Sequence, residues 1–288
     1  MNGSFAIFFR KAFFLFGALT SGYLLLAQTG SPLLSHYRES NEVENQSWAI
    51  CHDDNDIMMF ANRRGILTFD GQSWNFVRIP VIPYAMIYKP EIKTVYIGSE
   101  NSYGYLERDE KGLYNYHTIS PDSSDIGIIT GIYPTDTTLW FYGETGISRF
   151  NLNTGRQDLL LKSKNGKPFS GMIITPRNIF VNVQSDGLCR LDSDTLFPIV
   201  TGYLLKEREI LFFLPYDSKL TLIGLDDGKL ALFDGIKFYD YPVNDEGYLQ
   251  QNYLSGGIVL SDSLYAFSTL DGGAIVVEKN SGKVIKAI

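Results

Sequence analysis

A spacing of about forty residues between glycine-centred turns is the strongest constraint in this sequence. Gly65, Gly104, Gly146, Gly187, Gly228 and Gly273 each stand between two short apolar runs, at intervals of 39, 42, 41, 41 and 45 residues. A second, independent marker keeps the same period. Phe69-Asp-Gly71-Gln-Ser-Trp74 returns as Phe233-Asp-Gly235-Ile-Lys-Phe238, 164 residues later, which is four periods of 41. A repeated unit of this length cannot bury its apolar faces alone, so it must stack on its neighbours.

The third unit shows the content of one repeat. Ile128-Ile-Thr-Gly-Ile-Tyr133 is followed by a polar turn, Pro134-Thr-Asp-Thr137, and then by Leu139-Trp-Phe-Tyr142. After the turn at Gly146 come Ile147-Ser-Arg-Phe150, a second turn at Asn153-Thr-Gly155, and the more polar Gln157-Asp-Leu-Leu-Leu161. Four short strands in roughly 40 residues leave no room for a helix, and such a unit is a propeller blade. The sequence therefore predicts an all-β chain, a β-propeller of about six four-stranded blades. The units fall at about 46–80, 83–120, 125–164, 169–202, 208–243 and 250–288. Either six blades close on themselves, or the chain is the front part of a seven-bladed or longer array. The second strand of each unit runs apolar with little alternation, as a strand covered on both faces does. The glycine after it is expected to supply a positive φ for a tight hairpin.

With 44% apolar, 14% aromatic and 20% charged residues over 288 positions, the chain has the means to build a large core. Its net charge of −7 and scattered basic residues do not suit a phosphate-tracking surface, which argues against direct nucleic-acid binding. Residues 1–27 read differently from the rest. Arg10 and Lys11 precede an apolar run that ends in Leu26-Ala27, the pattern of a secretory signal peptide. The alternative, a retained membrane anchor, needs a span of ~20 apolar residues and the run is shorter. Residues 28–45 are an N-terminal lead-in that could add an edge strand, and 46–288 form the repeat array. A periplasmic or extracellular location follows from the signal. Cys51 and Cys189 each sit in an apolar, strand-like run and are expected as small buried hydrophobes rather than as a disulfide.

Leu139-Trp140-Phe-Tyr-Gly143-Glu-Thr-Gly146-Ile-Ser-Arg149-Phe150-Asn-Leu-Asn-Thr-Gly155 resembles the two-component-regulator propeller repeat. Asn62-Arg-Arg-Gly65-Ile-Leu-Thr-Phe-Asp-Gly71-Gln-Ser-Trp74 is similar to the version found at the start of such sensors, as is the preceding Asn45-Gln-Ser-Trp48. The resemblance covers essentially all of 46–288 and is strongest in the first and third units. It implies the exported sensory part of a bacterial hybrid two-component or helix-turn-helix regulator. In that family a Tyr-rich β-sandwich, a membrane helix and a kinase or DNA-binding output follow the propeller. On this reading the chain is an N-terminal sensor fragment or a stand-alone relative, and its partners are downstream regions of the same polypeptide.

Chemistry is sparse. His36, His52 and His117 are the only histidines, and none stands in a metal-ligand spacing, so no metal and no cofactor are expected. The acidic clusters, such as Asp53-Asp-Asn-Asp56 and Asn244-Asp-Glu-Gly247, lack the spacing that wraps a calcium ion and read as turns. No nucleophile elbow or phosphate-binding loop occurs. The expected function is a non-catalytic ligand-sensing propeller for a small molecule or oligosaccharide. Its ligand is expected at the axial pore or on the rim built by the loops leading into each first strand. Trp48, Tyr84, Phe169 and Tyr253 lie at or near those loops and are the candidate ligand-binding aromatics. The alternatives are a propeller enzyme, a polysaccharide lyase or hydrolase with carboxylates from different blades, and a passive protein-interaction scaffold.

Overall fold

The computed structural model describes residues 46–121 and 124–288, so the expected signal segment, the lead-in up to 45 and His36 lie outside the described residues. Six four-stranded sheets follow one another at 47–77, 85–118, 129–162, 169–198, 210–240 and 254–287. In each, the strands pair in chain order and antiparallel, so the six sheets are the blades of a β-propeller. Helical pieces among the described residues are short, at Pro90–Ile92, Val200–Leu205 and Tyr248–Gln251. None of them is long and apolar enough to cross a membrane.

Blade three shows how sequence becomes packing. Its second strand, Thr138–Gly143, pairs with Ile129–Pro134 on one side and Gly146–Asn151 on the other. Side chains alternate between the two faces of a strand. Leu139, Phe141 and Phe150 therefore go to blade two, where they meet Tyr96 and Tyr103. Trp140, Tyr142 and Ile147 go to blade four and meet Phe169, Met172 and Val181. Fully burying each such side chain contributes about 1.5–3 kcal/mol, so a blade covered on both sides gains twice from a single strand. The Tyr103 and Phe141 rings stack at 3.9 Å. The buried Tyr103 hydroxyl donates to Gln157 Oε1 at 3.0 Å and lies 2.8 Å from Ser148 Oγ, so its burial leaves no polar group stranded. Among the described residues, five apolar clusters of this kind join blades one to two, two to three, three to four, four to five and five to six.

The duplicated Phe-Asp-Gly marker is one turn used twice. Asp70 Oδ1 accepts from the N–H groups of Gln72 and Ser73 at 2.9 and 2.6 Å. Asp234 Oδ1 accepts from Ile236 and Lys237, both at 2.7 Å. Each is an Asx turn between the third and fourth strands. It brings Phe69 to within 4.5 Å of Trp74 and Phe233 to within 4.7 Å of Phe238, ring centre to ring centre.

The glycines that mark the period need one correction. Gly65, Gly187, Gly228 and Gly273 do adopt positive φ, but Gly104 and Gly146 do not. At these two positions the requirement is space. A Cβ on Gly146 would lie 2.5 Å from Ile126 Cγ2 and 2.9 Å from the Leu161 carbonyl oxygen. One on Gly104 would lie 2.3 Å from the His117 carbonyl oxygen. The same residue type thus recurs for two different reasons.

Both cysteines are free thiols, Cys189 buried and Cys51 half-buried. Burial, and then the charge of Asp53, push the Cys51 thiol up to about 12, so it behaves as an inert packing group.

Candidate functional site

The two rims of the blades are built from different connections. One carries the loops that lead from each blade into the next together with the second-to-third turns. The other carries the first-to-second and third-to-fourth turns.

On the first rim the four expected aromatics have three different fates. Trp48 and Tyr84, both half-buried, come together with ring centres 4.9 Å apart, one from blade one and one from the loop into blade two. Tyr84 is held there by its backbone N–H, which donates to the Gly98 carbonyl at 2.9 Å. Phe169 is 6% exposed and belongs to the cluster between blades three and four. Tyr253 is 59% exposed and takes a left-handed φ of 59° in the loop before blade six. The rim also carries Glu209 and Arg208. Arg208 lies 3.1 Å from Asp227 and 4.0 Å from Asp226. Burial, and then the Asp226 charge, push the Glu209 carboxyl above the usual carboxylate range. A depression of about 210 Å³ between blades five and six, lined by Lys229, Tyr241, Asp245 and Leu249, lies on this rim.

Three larger depressions among the described residues lie on the opposite rim, in a row. Between blades two and three is a cleft of about 730 Å³, lined by Lys89, Glu91, Tyr96, Tyr105, Asp136 and Asn153. Beside it is a funnel of about 420 Å³ among the first strands of blades three to five, lined by Thr135, Asp136, Thr175, Phe213 and Asp217. Beyond that a groove of about 660 Å³ runs between blades three and four, lined by Thr135, Thr138, Trp140, Arg149 and Arg177. Asp136 is common to the cleft and the funnel, and Thr135 to the funnel and the groove.

The turns that shape this rim are rigid. Thr135 Oγ1 accepts from the Thr138 N–H at 3.2 Å, and Thr175 Oγ1 accepts from the Asn178 N–H at 3.0 Å. Asp217 Oδ1 accepts from the N–H groups of Lys219 and Leu220 at 2.6 and 2.7 Å, which holds its carboxyl below the usual range. In the groove, Arg149 donates to Asp158 at 2.6 Å and lies over the Trp140 ring at 5.3 Å. The acidic clusters read as turns are used as turns. Asp53 Oδ1 accepts from Asn55 and Ile57, and Asp245 accepts from Gly247 and Leu249. His117 stacks on Tyr105 at 5.1 Å and lies 3.3 Å from Glu107 at the blade surface.

Sequence reasoning missed this second rim. The residues that line its cleft come from separate turns and strands of blades two and three, and only blade stacking joins them. One signal was present: Lys89 is a charged residue at the end of the otherwise apolar strand Ala85–Lys89.

No family model matches the chain, and no curated protein matches it either. Solved structures do. The extracellular domain of a hybrid two-component system from B. thetaiotaomicron matches 84% of the chain at 15% identity with a TM-score of 0.62, and the chain spans 35% of that domain. Virginiamycin B lyase from Staphylococcus aureus matches 83% at 12% identity, with a TM-score of 0.61 and 84% of that chain covered. The WD40 propeller domain of Doa1 matches 88% at 11% identity, with a TM-score of 0.66 and 85% covered. An extracellular two-component-system domain, a lyase and a WD40 domain thus have the architecture of this chain in common, and that architecture is the β-propeller.

Proposed function

We propose that this chain is an exported, non-catalytic binding propeller that senses a small molecule or oligosaccharide for a bacterial signal-transduction regulator. The observation that carries the reading is the row of three adjoining depressions along one rim, walled by turns that their own hydrogen bonds hold in place. Preformed concave surfaces with a few fixed polar groups are what ligand recognition requires. The resemblance of the third repeat to two-component-regulator propellers supports the signalling context. So does the shared fold with an extracellular two-component domain, of which this chain matches about a third. The output would lie in further regions of the same polypeptide.

A second reading, a propeller lyase or hydrolase, is favoured by one observation. Glu209, an exposed rim residue with a raised carboxyl pKa, has the character of a general acid. One experiment separates the two. The purified chain is incubated with a panel of oligosaccharides while melting temperature and product formation are both followed. A sensor gains stability with ligand, about 2.7 kcal/mol at a hundred times Kd, and leaves the ligand intact. Turnover that is lost in Glu209→Gln would replace the sensor reading with the enzyme reading. A chain that shows neither binding nor turnover is the passive scaffold.

A further inference from the structure

The cleft between blades two and three contains a buried lysine whose N–H donors are not all used. Lys89 is 9% exposed, and lysine is almost never buried so far unless it is paired. Its Nζ lies 3.3 Å from Glu91 Oε2, and it donates to the Thr135 carbonyl oxygen of blade three at 3.4 Å. Both contacts are long, and an ammonium has three N–H donors, so at least one remains to be used. Tyr96, 5% exposed, and the half-buried Tyr105 line the same cleft with ring centres 6.1 Å apart. Neither hydroxyl has a hydrogen-bond partner among the described residues. Phe150, Leu152 and Ile119 complete an apolar floor, while Glu91, Asp136 and Asn153 supply acceptors at its edge.

We propose that this cleft binds a neutral polyhydroxylated ring, a sugar without acidic or basic groups, which gives the binding reading above a site and a ligand charge. The charge arrangement selects the class. One ammonium and two carboxylates line the cleft, so an anionic ligand meets Glu91 and Asp136 while a cationic one meets Lys89. A neutral ring uses every group. Its hydroxyls donate to the carboxylates and the Asn153 amide oxygen and accept from Lys89 and the tyrosine hydroxyls. Its C–H face lies on the half-buried Tyr105 ring. The volume of about 730 Å³ is within the ordinary range for a ligand site.

The test uses the whole chain with labelled tyrosine and tryptophan rings, followed by NMR during titration with maltotriose, cellotriose, mannotriose, galactotriose and trigalacturonate. At least one neutral trisaccharide shifts the Tyr96 and Tyr105 resonances, and trigalacturonate at the same concentration does not. Lys89→Met weakens that binding at least fivefold. Tyr105→Phe, which keeps the packing and removes only a hydroxyl, weakens it about threefold with an unchanged melting temperature. The site assignment is overturned if no neutral trisaccharide moves these resonances, if trigalacturonate binds as tightly, or if both variants bind as the parent does. A sugar that stabilises the chain but shifts the Trp48 indole instead removes this site and leaves the binding reading in place.

Discussion

Blades three and six have the same four-strand topology and different second faces. In blade three the face turned to the next blade carries Trp140, Tyr142 and Ile147, all buried against blade four. The corresponding face of blade six carries Ala266 and Val276, half-buried, and Ser268, exposed. Among the described residues, only the other face of blade six, with Tyr265, Phe267, Ile275 and Val277, is sealed, against blade five. The burial of the two second strands records this directly. Thr138–Gly143 is buried at every position after the first, whereas Leu264–Thr269 alternates. The comparison teaches that a blade owes its stability to the faces its neighbours cover, and that the side chains on each face are sized accordingly.

The largest expected effect tests this at a single ring. Phe141→Ala removes a fully buried side chain from a doubly covered strand and should cost about 3–5 kcal/mol in urea unfolding. Val276→Ala, on the uncovered face of blade six, should cost less than about 1 kcal/mol. Equal losses would break the comparison. A smaller difference is expected at glycines. Gly146→Ala forces a Cβ against Ile126 and the Leu161 carbonyl and should cost about 1–3 kcal/mol. Gly256→Ala in blade six meets only the Ser268 hydroxyl at 3.1 Å, and its midpoint should move by less than half as much.

The smallest effect concerns the cost of burying charge where a loop leads into an inner blade. The folded-state pKa of Glu209 is raised by burial and by Asp226. The native state therefore binds its proton more readily than the unfolded chain does. The stabilising contribution of the protonated form is complete below the unfolded pKa and is lost as pH rises through the folded one. Glu209→Gln should then be more stable than the parent at pH 7 and no more stable at pH 3.5. Because Glu209 is partly exposed, solvent screening keeps the gain below about 0.5 kcal/mol. A gain that persists at pH 3.5 would show that the charge is not its cause.

Much of the fold was legible because its signals are local and repeated. The Asp70 and Asp234 turns lie 164 residues apart and form the same hydrogen bonds, so the sequence match between them reflects identical geometry. The one-sidedness of blade six was also written in the chain, as Tyr265 and Phe267 alternating with Ala266 and Ser268. It is overlooked when every second strand is expected to be covered on both faces. The site was far less legible. Trp48 and Tyr84 do meet, but Phe169 serves the core and Tyr253 is exposed in the loop before blade six. Lys89, Asp136 and Asn153 become neighbours of one cleft only when blade two stacks on blade three. No spacing within a repeat encodes an arrangement made between repeats.

The central claim, that inner blades are sealed on both faces and the sixth on one, is tested most directly by thiol labelling. In a Cys51→Ser, Cys189→Ala background, Ser148→Cys places a thiol at a fully buried position of blade three, and Ser268→Cys places one on the free face of blade six. The account predicts that a maleimide labels position 268 in the native state at nearly the rate of an unfolded thiol. Position 148 should react only through unfolding, with a rate that rises with urea. Protection of position 268, or rapid native-state labelling of position 148, would contradict it.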